Sequence, residues 1–264
     1  MHPMLNIGIR AARAAGDIQV RYMDRLDTLQ ISEKSTNDLV SDVDRECERV
    51  IIETLRRAYP DHGVLAEESG ASGAGDEYQW VVDPLDGTMN YLHGFPQFAV
   101  SIALRVRGQL DQAVIFDPVR QELFTASRGA GAQLDGRRIR VTRRTMRQAL
   151  VGTGFPFREL ARLDTHLATL KAIIPRAAGV RRAGSAALDL AYVGAGRLDG
   201  FWELGLAEWD MAAGALIIQE AGGLVSDLAG GQDHMETGQV VAGNPRVHGA
   251  MLDLLRPAAG VTRT

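Results

Sequence analysis

A short apolar run, Trp80-Val81-Val82, ends in Asp83-Pro84-Leu85-Asp86-Gly87-Thr88, and this stretch constrains the chain more than any other. The run predicts a strand over 79–82 that Pro84 and Gly87 break at once. Proline fixes one backbone angle, and glycine permits a sharp turn. Such a turn can aim Asp83, Asp86 and the Leu85 carbonyl at one point, and strand ends are where open α/β sheets place ligands. Oxygen donors of this kind suit hard cations such as Mg2+. Taken alone, Asp-x-x-Asp-Gly reads first as a strand followed by a type I turn whose acids serve as caps.

The string has company. Glu67-Glu68-Ser69 follows an apolar segment, and Glu208-Trp209-Asp210 opens a predicted helix. Asp44 falls in the first turn of a helix predicted from Ser41 or Asp42 to about Tyr59, and Lys34 precedes it. Singly, Glu67 is surface charge and Asp210 a helix cap. Together they are what attack by water on a phosphate monoester needs: several acids from different segments, holding metal ions that offset the charge and activate water. No competing chemistry is present. The chain has no Gly-x-x-x-x-Gly-Lys-Ser/Thr loop, no His-Glu-x-x-His and no Cys-x-x-Cys. Its six histidines are scattered. His93 reads as a loop residue, Trp202 and Trp209 as core, and Arg181-Arg182 as a solvated pair.

The net charge of −4 leaves no basic domain of the kind that marks a dedicated nucleic-acid binder. With one cysteine, Cys47, no intramolecular disulfide can form, which fits a reducing compartment. Val43, Cys47, Val50, Ile51 and Leu55 share one helical face, so the thiol reads as buried. No apolar run suits a membrane span, and the first residues lack a secretory pattern, so a cytoplasmic protein is expected.

Along the chain, helices are predicted over 4–22, 159–174, 185–195, from about Asp210 to Gly222, and over 246–255. A polar turn cluster lies at Ser35–Asp38, a surface loop at 70–76 and hairpin turns at 128–136. Strand texture runs from Phe98 to Ile139, with short strands at 224–226 and 239–242. The expected architecture is α/β (α+β): a largely antiparallel sheet, then a second, mixed one. The 264 residues fit one domain, with a subdomain boundary near 140–150.

The sequence resembles the inositol monophosphatase family. Three blocks carry the likeness in order: Glu67-Glu68-Ser69, Val82 to Thr88, and Trp209-Asp210 with Ala212-Ala213-Gly214. Phe98 to Ile102, Gly184 to Ala187 and Glu220 to Gly223 also match. Met1 to Ile7, Gly184 to Val193 and Val241 to Val247 resemble a bacterial branch whose members also serve as transcription antitermination partners. The resemblance implies a layered sandwich of sheets and helices, the sugar-phosphatase-like fold, and Mg2+-dependent, lithium-sensitive hydrolysis of inositol monophosphate or a related polyol phosphate. Two to three ions are implied: one on Glu67, Asp83 and the Leu85 carbonyl, one on Asp83, Asp86 and Asp210, and a weaker one on Glu67 and water. Asp44 and Thr88 would orient and help deprotonate the attacking water, with Lys34 in support by charge. Backbone donors at Gly87, Thr88 and Met89 would meet the phosphate, and Gly184, Ser185, Ala186, Glu203 and Asp210 the substrate. Met89 departs from the family's usual threonine and loses a hydroxyl. A homodimer and antitermination proteins are the implied partners. Nucleotide 3′-phosphate, fructose bisphosphate and histidinol phosphate are alternative substrates, and a mainly non-catalytic binding protein is the other reading.

Overall fold

The computed structural model describes residues 2–29, 31–35, 38–73, 77–157 and 159–261, with backbone alone at 28, 33–35, 38 and 39. Helix α1 (Pro3–Tyr22) leads through a short 3-10 segment (Met23–Thr28) to a hairpin of β1 (Ile31–Ser35) and β2 (Asp38–Ser41), then to α2 (Asp42–Ala58). Expectation gave only a polar turn there, and residues 36 and 37 lie outside the described residues. The first sheet follows: β3 (Gly63–Ala66), β4 (Gly70–Ser72), β5 (Tyr78–Asp86), then the short helix α3 (Thr88–Leu92), β6 (Ala99–Val106), β7 (Gln109–Asp117), β8 (Glu122–Ser127), β9 (Gly131–Leu134) and β10 (Arg137–Arg138). Its order is β10-β9-β8-β7-β6-β5-β3-β4, antiparallel except where β3 runs parallel to β5.

The second sheet begins at β11 (Leu150–Thr153). Next come α4 (Leu163–Ile173), β12 (Gly179–Arg181), α5 (Ala186–Gly194), β13 (Gly200–Leu204), α6 (Glu208–Glu220), β14 (Leu224–Ser226), α7 (His234–Thr237), β15 (Gln239–Gly243) and α8 (Pro245–Ala259). The order β12-β11-β13-β15-β14 mixes parallel and antiparallel pairs.

Four apolar clusters lie between five layers. Helices α1 and α2 cover one face of the first sheet; α5 and α6 fill the space between the sheets; α4 and α8 cover the far face of the second. This is an α/β layered fold. It explains why β6 is buried from Ala99 to Leu104 without polar alternation. Val100, Ile102 and Leu104 face α1 and α2, whereas Ala99 and Ala103 face α5 and α6, because a sheet covered on both sides needs apolar residues on both. The α5–α6 layer is thin because Gly214 packs where a Cβ would collide with Leu190.

Three local expectations change. Strand β5 does not stop at Val82: Asp83 pairs with Ser101 and Asp86 with Ala99, so three steps on one strand face two on the other. This bulge absorbs Pro84 and Leu85, a device common beside active sites because it re-aims side chains. Residues 70–72 form a strand rather than a loop, because they pair with β3; 74–76 lie outside the described residues. Within 128–136, residues 131–134 pair with β8 as a strand, so only the flanks are turns.

Candidate active site

The acids converge because each sits where an element ends or begins. Asp83 and Asp86 flank the β5 bulge, and Asp210 is the third residue of α6. One carboxylate oxygen from each lies within 4.8 Å of the others, and all three residues are buried. Backbone amides fix each in turn. Leu85 N–H donates to Asp83 at 2.9 Å, Ala187 N–H to Asp86 at 2.9 Å and Ala207 N–H to Asp210 at 2.7 Å. Ser185, the N-cap of α5, adds a short hydrogen bond to Asp86. Asp86 thereby ties the first sheet's bulge to the α5 N-terminus, where the helix dipole favours negative charge.

Burial pushes the Asp83 carboxyl well above the usual carboxylate range, and the charges of Glu67, Asp86 and Asp210 push it further. Burial likewise raises Asp86 to about 6, against the pull of the Ser185 and Ala187 hydrogen bonds. Glu67 itself is half-buried just beyond β3, where its N–H donates to the Val82 carbonyl at 3.1 Å. These are hard oxygen donors whose mutual repulsion a divalent cation would relieve, so the residues fit a Mg2+ site.

Asp44 and Thr88 form a second unit. Asp44 is the N3 residue of α2 in a capping box, taking the Ser41 N–H at 2.8 Å and the Ser41 hydroxyl at 2.5 Å. The Thr88 hydroxyl lies 3.0 Å from the other Asp44 oxygen and 3.1 Å from the Leu85 carbonyl. It has one proton for these two acceptors. Burial raises the Asp44 carboxyl, with the Ser41 and Thr88 hydrogen bonds opposing. The Leu85 carbonyl retains a second lone pair beyond its contact with Thr88. Gly87 caps α3 with φ +94°, and an added Cβ would lie 2.9 Å from the Gln97 carbonyl, so both conformation and space require glycine.

Beside the acids opens a cavity of about 500 Å³. Its walls include Gly87, Thr88, Met89, Gly184, Ser185, Ala186, Glu203 and Asp210, so the expected substrate set converges on one space. Met89 is 44% exposed at its edge. Leu85 is buried and offers only its carbonyl. The Lys34 side chain lies outside the described residues. His93 is an exposed residue capping α3, while Trp202 is buried and donates to the Thr169 hydroxyl at 3.1 Å. Trp209 is half-buried against the core. Arg182 is not simply solvated: its guanidinium lies 5.5 and 5.1 Å from the ring centroids of Phe155 and Phe157, on the cavity rim.

The profile of the inositol monophosphatase family matches residues 1–258. The chain belongs to that family. Nus factor SuhB of Pseudomonas aeruginosa is 54% identical over 263 residues, covering 97% of each chain. The structure of extragenic suppressor protein suhB from Bartonella henselae superposes with a TM-score of 0.94 at 44% identity, covering 97% of this chain and 99% of that one. An inositol monophosphatase from Anabaena (Nostoc) sp. PCC 7120 gives 0.85 at 38%, covering 96% and 95%. Family membership makes the chain a phosphatase of this superfamily.

Four residues around this site were missed from sequence. Gln19 of α1 donates to the Pro84 carbonyl at 2.8 Å, pinning the bulge. Glu48 of α2 accepts the Glu68 N–H at 2.7 Å, holding the Glu67 segment. Asn90 shares its amide hydrogens among the Gln97, Ala183 and Gly184 carbonyls at 2.8–3.1 Å, joining α3 to the α5 approach. Asp189 of α5 is buried on the cavity wall. A signal existed for three: Gln19, Glu48 and Asp189 are polar residues on otherwise apolar helical faces, where burial demands a partner.

Proposed function

We propose that the chain hydrolyses inositol monophosphate, or a related polyol phosphate, to the alcohol and inorganic phosphate in a Mg2+-dependent reaction. The observation that carries this is the buried triple Asp83, Asp86 and Asp210, of which Asp86 and Asp210 line the 500 Å³ cavity. A first ion would be held by Glu67, Asp83 and the Leu85 carbonyl, a second by Asp83, Asp86 and Asp210, and a weaker third by Glu67. Bound there, Mg2+ supplies positive charge against the phosphate oxygens and makes water more acidic.

The chain's own residues do the rest. Thr88 faces Asp44, so a proton leaving water for the Thr88 oxygen can be matched by Thr88's own proton moving to Asp44. Water oxygen then bonds to phosphorus as the bond to the alcohol oxygen breaks, and that oxygen takes a proton from solvent. N–H groups of Gly87, Thr88 and Met89, at the start of α3, face the phosphate. Glu203 meets the alcohol. Arg182, Phe155 and Phe157 edge the cavity and restrict water entry. Lys34 would add positive charge near Asp44.

The test is phosphate release from inositol 1-phosphate with and without Mg2+, beside a nucleotide 3′-phosphate, fructose bisphosphate and histidinol phosphate. Mg2+-dependent release, fastest from inositol 1-phosphate, is expected. Release that ignores Mg2+ would refute the metal assignment, and a preferred alternative ester would replace the substrate.

A second reading belongs beside it: a cytoplasmic partner in a transcription antitermination complex. Its support is the 54% identity to a protein named Nus factor SuhB. Pull-down of transcription elongation factors, with an Asp83→Asn variant that still binds, would support a separate surface; no capture by the wild type would remove this role. The same reading includes a homodimer. Phe155, Phe157, Leu160, Leu163, Leu167 and Ile174 are exposed in one segment, and a second copy would cover them. Among the described residues no helix is long and apolar enough to cross a membrane.

A further inference from the structure

The cavity is lined by a carboxylate that the family resemblance did not point to, Asp189, as well as by Glu203. Asp189 sits in the first turns of α5 and is 3% exposed, yet it lines the same cavity as Glu203. One glycine makes the space for Glu203: an added Cβ at Gly154, just past β11, would collide with its carboxylate. Asp189 lies in ordinary contact with β11, its carboxyl carbon 3.4 Å from where a Cβ on Gly152 would stand.

The chemistry of this wall is one-sided. An ionised carboxylate only accepts hydrogen bonds; burial and the neighbouring acids push both Asp189 and Glu203 well above the usual carboxylate range, and donors on a ligand favour the ionised, accepting form. Arg182, stacked on Phe155 and Phe157 at the rim, is the nearby cation that acts on both acids. Asp86 is held by Ser185 and Ala187, and Asp44 by Ser41 and Thr88, but no hydrogen bond from a described residue acts on the Asp189 carboxylate. Asp189 lines the open cavity, where donors on a ligand can take the place of water. Two acceptors side by side suit two donors on neighbouring atoms of one ligand.

We propose that Asp189 is a specificity residue that, paired with Glu203, accepts hydrogen bonds from adjacent hydroxyls of the leaving alcohol. This rests on the phosphatase reading and deepens it: the preferred substrate is a polyol phosphate with vicinal hydroxyls next to the ester, not merely any phosphate monoester. A site built to hydrogen-bond a hydroxyl rejects analogues lacking it far more strongly than an apolar pocket rejects a missing methylene, because the unused acceptor stays buried and unpaired.

The experiment compares kcat/KM for inositol 1-phosphate with that for p-nitrophenyl phosphate, whose alcohol has no further hydroxyl, in the wild type and in Asp189→Asn. Asparagine keeps the volume but places hydrogens where an acceptor stood. The ratio of the two values is expected to fall about tenfold, through a higher KM for the inositol ester. Asp189→Ser gives the same readout should the asparagine variant not fold. An equal loss on both esters would make Asp189 merely structural and overturn the proposal; so would an unchanged ratio. O-phosphoethanolamine is the third substrate. A wild-type preference for it that vanishes in Asp189→Asn would assign the wall to an ammonium group and overturn the hydroxyl assignment. Should the wild type cleave none of the esters, the phosphatase reading itself fails, and this is seen before any variant is made.

Discussion

The phosphate-facing and alcohol-facing halves of the cavity are built differently. The first comes mainly from one continuous stretch, Asp83 to Thr88, backed by α2, with only Asp210 arriving from far along the chain. Its side chains are held by amides and hydroxyls at 2.5–3.0 Å. The second is assembled from Gly154, Arg182, Asp189 and Glu203, each on a different segment around the second sheet. A local bulge can fix the geometry of charge neutralisation tightly. Remote segments leave the alcohol side open to change by single substitutions without disturbing the chemistry.

Replacing residues in each half should separate their roles, and the largest effect belongs to the bulge. Asp83→Asn is expected to lower turnover by more than about a thousandfold, about 4 kcal/mol of barrier, while folding is retained, since an asparagine oxygen can still accept the Leu85 N–H. Phosphate release at close to the wild-type rate would break the distinction between the halves.

The second sheet is open to attack by acid. His248 of α8 lies 2.9 Å from the Ser226 hydroxyl, and burial first, then the Arg256 charge, lower it from 6.5 to about 4. Both folded and unfolded states hold it neutral above pH 6.5. Between 6.5 and about 4 only the unfolded state takes the proton, so stability falls as the pH drops through that window, by about 3 kcal/mol at most. Urea unfolding of wild type and His248→Gln at pH 7 and pH 5 checks this, and the variant should lose less stability between the two.

Thr88→Ala should cost about a hundredfold in kcat, the ordinary scale for losing a positioned proton acceptor, while Mg2+ still raises the melting temperature. A lost Mg2+ response would merge Thr88 with the metal ligands. Glu203→Gln should raise KM for the inositol ester about tenfold with little change in kcat. An equal fall in kcat would tie the alcohol side to the chemical step. Met89→Thr should change kcat/KM by about twofold or less, since Met89 is 44% exposed and its backbone N–H is unaltered; steady-state kinetics on inositol 1-phosphate decides.

The phosphate side was legible in the sequence because its ligands cluster along the chain and because carboxylates beside Pro84 and Gly87 carry their own geometric reason. Glu67 and Asp210 were picked out as companion acids, but their assignment to particular ions came only from the family resemblance, since nothing in spacing brings residue 210 to residue 83. The fold's middle was legible as strand texture, but the β5 bulge was not: a proline reads as a strand breaker, whereas pairing of Asp83 and Asp86 with β6 carries the strand through it. Strands β11 and β13 escaped because they are short and covered on both faces, which removes alternation, and β12 because it is a three-residue strand at the sheet edge. Gln19, Glu48 and Asp189 stood out only as polar residues on apolar faces, with no sign of what they meet. Their partners are backbone groups or cavity space from distant segments, which no local pattern encodes.

The central claim is that the buried acids of the bulge are a divalent-cation site, and thermal unfolding with and without Mg2+ tests it most directly, for the wild type beside Asp83→Asn. A cation at a hundred times its Kd stabilises the folded state by about 2.7 kcal/mol, or roughly 5–10 °C for a chain of this size. The wild type should show that rise. Asp83→Asn should melt no lower than the wild type without Mg2+, having lost a buried like charge, and should gain nothing from the ion. A variant that gains as much as the wild type would contradict the account.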